Sequence, residues 1–478
     1  MSISIIDAMD DPALFGPWFQ RGDWTAWRAF HRALFGLPIG DNGLLIQCAG
    51  RSSVPENGFS ETWCIVGRRG GKSFNTALIG AVLAAFVDYR PFLQPGERAT
   101  VMILACDRKQ ARVIMRYVAA FFTEVPMLAA MVERQTDEQI DLTNRVSIEI
   151  TTASIRTVRG YTIAAVLADE TAFWRSEESA NPDSEILNAL RPGMATIPGA
   201  RMICIGSPYA RRGEMWSAYR RYHGKDEAPV LVWKAPSRTM NPALPQRVVD
   251  EAMARDEAAA RAEYLAEFRA DIEAFVSREV VERAQRSDPL ELPFTRGNAY
   301  VAFVDPSGGG PDGFTLAIGH KENRQVVVDA VRERKSMAPG AVVAEYASLL
   351  KTYNISRVTG DKYAGSWPEQ EFARHGVTYV AANKPKSDLY VDALAVLNSG
   401  RVDLPPDPVL LTQFISLERR TSRAGRNSID HPPGGHDDRA NVVAGLIATI
   451  GSGSTYTLEF ITGPNDRPLP PWLRNHHP

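Results

Sequence analysis

Apolar runs alternate with helical patterns through the first half of the chain. ETWCIVG (61–67) has the length and content of a buried strand. KSFNTALIGAVLAAFVDY (72–89) is apolar on most sides and predicts a helix. ATVMILACD (99–107) is a continuous apolar run, the pattern of a parallel strand covered on both faces. RKQARVIMRYVAAFFTEV (108–125) predicts a further helix, and RVSIEITTA (145–153), TIAAVLADE (162–170) and ARMICIGSP (200–208) predict three further strands. Strands alternating with helices predict a doubly wound α/β domain. The aromatic-rich stretch 1–60, with Trp18, Trp24 and Trp27, predicts one or two helices ahead of it. A charged helical pattern covers 246–272, and SDPLELPFTRG (287–297) has the composition of a linker. A second α/β pattern opens at AYVAFVDPSGG (299–309), followed by a hairpin (315–334), a helix (338–354), a strand end (357–363) and an apolar helix led by acids (436–451). The expected divisions are a helical segment at 1–50, a first domain at 51–272, a linker at 273–297, a second domain at 298–453 and a loose Gly-, Ser- and Pro-rich tail at 454–478.

Composition narrows this picture only a little. A chain of 478 residues exceeds one compact core, so two domains are the natural division. With 44% hydrophobic and 23% charged residues it falls in the ordinary globular class rather than the disordered one. The net charge of -2 neither supports nor excludes a nucleic-acid partner, because local basic patches suffice for that. Cys48, Cys64, Cys106 and Cys204 form no CxxC pair, and three of them sit in apolar runs, as buried thiols of a reducing compartment do. The acidic N-terminus lacks a signal pattern, and no apolar run reaches the ~20 residues of a membrane span. The expected location is the cytoplasm of the host cell, with no membrane partner.

The segment VGRRGGKSFNTAL (66–78) joins a predicted strand to a predicted helix. Its Gly67, Gly70 and Gly71 let backbone N–H groups approach phosphate oxygens at a helix N-terminus. Lys72 is placed to reach the β- and γ-phosphates and Ser73 to ligate Mg²⁺. The strict G-x-x-x-x-G-K-[ST] spacing wants Gly where this chain has Val66, so a Gly-rich turn with a surface lysine is the plainer alternative. The strand TIAAVLADE answers it. Asp169 at its end suits the Mg²⁺ shell, and Glu170 can orient and deprotonate an attacking water. Arg68 and Arg69 in the loop, and Arg159 before Gly160, are candidates for stabilising transition-state charge; surface or DNA-binding roles are their alternatives.

The second domain carries three separated acids. Asp305 ends an apolar strand, Asp361 ends another, and Asp437 and Asp438 open a helix. Carboxylates so placed can hold two Mg²⁺ or Mn²⁺ ions ~3.5–4 Å apart for phosphodiester cleavage. An Asp at a strand end is more often a turn or cap residue, and it is the ordered trio that points to a nuclease. Strand hairpin, strand, then acid-led helix is also the RNase H-like order. His436 beside the acids is a ligand or outer-shell candidate, Asp312 and Asp430 read as turn residues, and the basic stretch 415–435 reads as a loop or hairpin that contacts phosphates or solvent.

Taken together, the deviant phosphate loop, the acidic strand end, the following ICIGSP segment and the acid order resemble the large terminase subunits of tailed bacteriophages, over roughly residues 50–450. The resemblance implies a P-loop ATPase domain of the RecA/ASCE-like kind followed by an RNase H-like nuclease domain. It implies a Walker A loop from Gly67 to Ser73 with Arg68 as loop arginine, Walker B from Val166 to Asp169, Glu170 as catalytic glutamate, and Ser207 in a coupling motif. Arg159 falls where some members place an arginine that acts across a subunit boundary. Asn441 stands where many members have a further acid, which leaves the third metal corner to Asp437 or Asp438. A convincing adenine-binding glutamine is missing, Gln20 being a weak candidate. The implied cofactors are ATP and Mg²⁺, with Mn²⁺ open in the nuclease. The implied partners are double-stranded viral DNA, the portal protein of the procapsid, a small terminase subunit and further copies of the chain, as a pentamer. A repair translocase fused to a resolvase-type nuclease, or an assembly factor with a weak ATP site, are the alternatives.

Overall fold

The computed structural model describes residues 3–40, 42–154, 158–174, 182–306, 313–361, 367–421, 427–432 and 435–451. The expected tail, the Gly-rich turn after Asp305 and Asp312 lie outside the described residues. Two compact units form, one from Met1–Ser277 with Pro408–Asp437 and the other from Arg278–Asp407 with Asp438–Pro478.

In the first unit β1 (Glu61–Val66), β2 (Ala99–Ala105), β3 (Val132–Gln135), β4 (Gln139–Leu142), β5 (Val146–Thr152), β6 (Thr162–Asp169), β7 (Arg201–Gly206) and β8 (Val230–Ala235) make one sheet in the order β3-β4-β5-β2-β6-β7-β1-β8. From β5 to β8 all pairs are parallel. Alternate side chains leave a strand on opposite faces, and here both faces are buried. Cys64, Val101, Ile103, Leu167 and Ile205 join the core on one side. Trp63, Ile65, Met102, Leu104, Val166 and Cys204 join the core on the other. That is why these strands read as continuous apolar runs rather than alternating ones. The predicted helices are present as Lys72–Phe86 and Arg108–Glu124, the second capped by the Asp107 carboxylate, which accepts from Gln110 N–H at 2.9 Å. The N-terminal stretch holds four short helices, Ile5–Asp10, Gly16–Phe19, Thr25–Phe35 and Gly43–Ala49, rather than one or two.

The charged pattern at 246–272 divides into two helices, Gln246–Arg255 and Glu257–Leu265. Asp256 lies between them in extended backbone, and its carboxylate caps the second helix by accepting from Ala259 N–H at 3.0 Å. The expected linker is partly ordered: β9 (Ile272–Ala274) and the helix Arg278–Ala284 fall in or across it.

The second unit contains β10 (Tyr300–Asp305), β11 (Phe314–Glu322), β12 (Gln325–Arg334), β13 (Arg357–Gly360), β14 (Thr378–Ala381) and β15 (Val402–Asp403), in the order β14-β13-β10-β11-β12-β15. β10, β11 and β12 pair antiparallel, while β13 joins β10 and β14 joins β13 in parallel, the RNase H-like arrangement. Ala302, Val304, Leu316 and Ile318 pack towards the helix Pro339–Thr352. The helix Asp438–Gly451 lies on the opposite face. It approaches closely, because a Cβ at Gly445 would stand 2.6 Å from the Phe303 ring and one at Gly319 2.8 Å from Leu446.

The basic stretch expected in the second domain instead belongs to the first unit. β16 (Glu418–Thr421) and β17 (Asn427–Asp430) pair antiparallel, and β16 adds to β9. Glu418 faces Ala274 and Arg420 faces Ile272 across that ladder. A second domain running unbroken over 298–453 is therefore corrected.

Candidate functional site

The phosphate-type loop after β1, Asp169 at the end of β6 and Ser207 after β7 stand at the carboxyl ends of three neighbouring parallel strands. That is where open α/β sheets bind ligands. Val66, the residue that breaks the strict spacing, is the buried last residue of β1. It carries the strand and the loop begins at Gly67, so the departure lies outside the turn itself. Gly67 has no room for a side chain, since a Cβ there would stand 2.3 Å from Ser237 Oγ and 2.8 Å from the carbonyl oxygens of Glu263 and Tyr264. Gly71 is left-handed (φ +89°), and its Cβ position is 3.0 Å from Trp27 Nε1. The same indole donates to Gly70 O at 2.8 Å, so the N-terminal helices brace the loop.

Lys72 is buried and central. Its ammonium donates to Val66 O (2.8 Å), Gly67 O (3.3 Å) and Ser207 Oγ (3.0 Å), and lies 3.7 Å from Glu170 Oε1. Glu170 sits in left-handed backbone (φ 48°), and its Oε2 accepts from Ser207 N–H at 3.0 Å. One carboxylate oxygen thus faces the lysine and the other is fixed by the backbone after β7, as a base that must orient water requires. Burial, and next the charge of Glu170, push the Asp169 carboxyl up to about 7, against the pull of Lys72. A divalent cation is the kind of partner this acid pair accommodates, and the Lys72 ammonium between it and the loop is the group that suits a phosphate.

A cavity of about 440 Å³ opens beside these groups, lined among others by Arg68, Gln110, Glu170, Ser207, Tyr209 and Arg269. Arg68 is exposed and pairs with Glu263 at 3.1 Å, Arg69 is exposed with φ 61°, and Ser73 is half-buried. Arg159 is exposed and does not line the cavity, and Gln20 is likewise exposed. The sequence does not single out Tyr209 or Arg269, and it marks Arg420 only as part of the basic stretch 415–435. Tyr209 had a signal, standing two residues after Ser207; nothing in the sequence ties Arg420 to this cavity, because its segment lies far along the chain from the loop. Burial, and next Glu418, hold the Tyr209 phenol up at about 12, so it donates to Glu418 Oε2 at 2.8 Å.

In the second unit, Asp305 ends β10 and Asp361 directly follows the adjacent β13, its N–H donating to Val304 O at 3.3 Å. Asp438 is brought to the same sheet end by β11: its Oδ2 accepts from Gly313 N–H at 3.2 Å and its carbonyl from Thr315 Oγ1 at 3.0 Å, Thr315 being the cross-strand partner of Asp305. One turn on, Asn441 is buried and donates its amide to Asp305 Oδ2 at 2.6 Å. The donor set is all oxygen, which suits Mg²⁺ or Mn²⁺. Among the described residues, Asp305, Asp361 and Asp438 do not bring their oxygens within 4.8 Å of one another, whereas Asp430, His431 and Asp437 do bring ligand atoms within that distance. A site for two ions ~3.5–4 Å apart spreads its ligands, so the wider set is compatible with paired metals. Asp438 is the member of the acidic pair that meets β11, Asp437 is buried beside half-buried Asp430 and His431, and His436 is exposed.

No protein-family model and no curated protein matches the chain. Solved structures do. The chain is similar to the large terminase of bacteriophage HK97 (15% identity, TM-score 0.39, covering 89% of this chain and 100% of that one). It is similar to the large terminase of a thermophilic bacteriophage (12% identity, TM-score 0.37, covering 86% and 99%). The large terminase nuclease of the thermophilic phage G20c with bound magnesium is a third (17% identity, TM-score 0.30, covering 33% of this chain and 84% of that one).

Proposed function

We propose that the chain is a DNA-packaging motor of the large terminase kind: an ATPase that drives double-stranded DNA into a procapsid, joined to a two-metal endonuclease that cuts the concatemer. The observation that carries this reading is the cluster at the ends of β1, β6 and β7, where Lys72 lies against both Ser207 and Glu170. Lys72 holds the β- and γ-phosphates, Ser73 and Asp169 hold Mg²⁺, and Glu170 takes the proton of the attacking water. Arg68, Arg69 and Arg159 are the candidates for transition-state charge, and Ser207 links the site to the strand end that moves with it. Asp305, Asp361 and Asp438 hold the nuclease ions, which supply an activated water and neutralise the leaving oxygen. Cutting is weakly sequence-specific, because such a site acts on backbone phosphates. On the portal the chain works as a ring, with a small terminase subunit selecting DNA. The test is a DNA-stimulated ATPase assay run beside Mn²⁺-dependent plasmid cutting on the purified chain. Lys72→Ala abolishes the first and spares the second; Asp305→Ala does the reverse. A chain without DNA-stimulated ATPase, or with full cutting in both Asp305→Ala and Asp361→Ala, refutes the assignment.

A further inference from the structure

One side of the cavity beside Glu170 is built from the returning hairpin. Arg420, on β16, lines it with Arg68 and Arg269. The three guanidiniums differ in how far their charge is compensated. Arg269 makes two hydrogen bonds to Asp271, at 3.1 and 2.6 Å. Arg68 has Glu263 at 3.1 Å. Arg420 also makes two hydrogen bonds, from Nε at 3.3 Å and Nη2 at 3.0 Å, both to Glu418 Oε2, but it shares that carboxylate with Arg212, at 2.5 Å from Oε1, and with the Tyr209 hydroxyl. Glu418 is fully buried, so its one negative charge stands against two guanidiniums and a phenol. Of these three guanidiniums, Arg420 is the one whose hydrogen-bonded carboxylate also serves a second arginine. A guanidinium in that condition binds a phosphate as a planar two-pronged donor.

The anchoring is equally specific. Arg269 N–H donates to Tyr209 O at 2.8 Å, and the chain from Arg269 runs directly into β9, on which β16 is laid. Tyr209, two residues beyond Ser207, packs with Ile272 of β9. The hairpin thus enters the site through the segment that follows β7, on the Glu170 side of the loop.

We infer that Arg420 is a nucleotide-contacting residue, supplied within the same chain by the hairpin, which grips the terminal phosphate of a nucleoside triphosphate, and that Glu418 is its positioning residue. The inference rests on the nucleotide reading of the cavity. Because Arg420 lies on the side of Glu170, it meets the phosphate that hydrolysis removes. It should therefore distinguish tri- from diphosphate, whereas Lys72 serves both.

The test is equilibrium binding of Mg²⁺·ATP (with the non-hydrolysable β,γ-imido analogue as check) and of Mg²⁺·ADP to the full chain. Arg420→Ala weakens triphosphate binding roughly ten- to hundred-fold, the effect of one lost charge-assisted hydrogen-bond pair, and changes diphosphate binding less than about threefold. Arg420→Lys recovers part of the loss, and Glu418→Gln gives a smaller loss of the same selectivity. Lys72→Ala loses both nucleotides. If Arg420→Ala melts below the wild type, Arg420→Gln decides the matter instead. Equal weakening of both nucleotides, or wild-type triphosphate binding in the variant that folds, overturns the inference while the Lys72→Ala result keeps the nucleotide reading. Wild-type binding by Lys72→Ala overturns that reading and the inference with it.

Discussion

Asn441→Ala is the substitution for which the second unit gives the sharpest expectation. Asn441 is buried on the first turn of the helix Asp438–Gly451, and its amide donates to Asp305 Oδ2 at 2.6 Å. A hydrogen bond to an ionised carboxylate contributes ~1.5–3 kcal/mol, and its loss removes one of the restraints on the Asp305 side chain. If that energy goes into holding Asp305 ready for a metal ion, its removal weakens metal binding by roughly ten- to hundred-fold, the range known for groups that orient ligands. The assay is plasmid cleavage as a function of Mn²⁺ concentration. The midpoint should move up by that factor, while the rate at saturating metal stays within a few-fold and ATPase activity is unaltered. Asn441→Asp gives a control of opposite sense: a second carboxylate at that distance repels Asp305 without metal and adds a ligand with it. An unchanged Mn²⁺ midpoint in Asn441→Ala, in protein that melts normally, refutes the argument that Asn441 sets Asp305.

Three further expectations come from the first unit. Gly67→Ala drives a methyl group into Ser237 and two backbone carbonyls; such overpacking costs ~1–3 kcal/mol, and ATPase activity should fall more steeply than the melting temperature. Burial holds the His31 imidazole down at about 4, below its ordinary 6.5, so the neutral form is favoured by folding. The associated stability is fully present above pH 6.5 and is lost as pH falls towards 4, about 2 kcal/mol of it by pH 5. His31→Gln should therefore show a smaller drop in melting temperature between pH 7 and pH 5 than the wild type, and an equal drop rejects this source of acid sensitivity. Arg159 is exposed and away from the cavity of its own chain, so Arg159→Ala should leave nucleotide binding by dilute protein intact and reduce turnover only where chains assemble; loss of binding at high dilution would contradict a role across subunits.

What could be read from the amino acids alone divides along physical lines. Strands buried on both faces announce themselves as apolar runs, and β1, β2, β6 and β7 lie where such runs predict them. Lys72, Asp169 and Glu170 could be picked out because a phosphate loop and its acidic partner are local patterns at strand ends, whereas Ser207 entered only through the family resemblance. The hairpin β3–β4, short and largely polar, was not, since nothing in VERQ or QIDL alternates strongly enough. Asn441 reads from the sequence only as a missing acid; its bond to Asp305 depends on how the helix lies over β10 and β11. The docking of β16 onto β9 has no sequence signal, because ERRT and IEA reveal nothing about each other until the chain has folded.

The excursion of Pro408–Asp437 has a practical meaning for how the protein can be taken apart. The backbone passes from one body to the other at 277/278, again at 407/408 and again at 437/438. A single nick at any one of these places leaves both bodies threaded by an intact strand, so limited proteolysis need not release either. A fragment ending at Ser277 also lacks Glu418, leaving the Arg212 guanidinium and the Tyr209 hydroxyl stripped of the buried anion that both address. Dissection of this protein should therefore proceed by point substitution in the whole chain, or by stitching 408–437 back onto the first body, rather than by halving it.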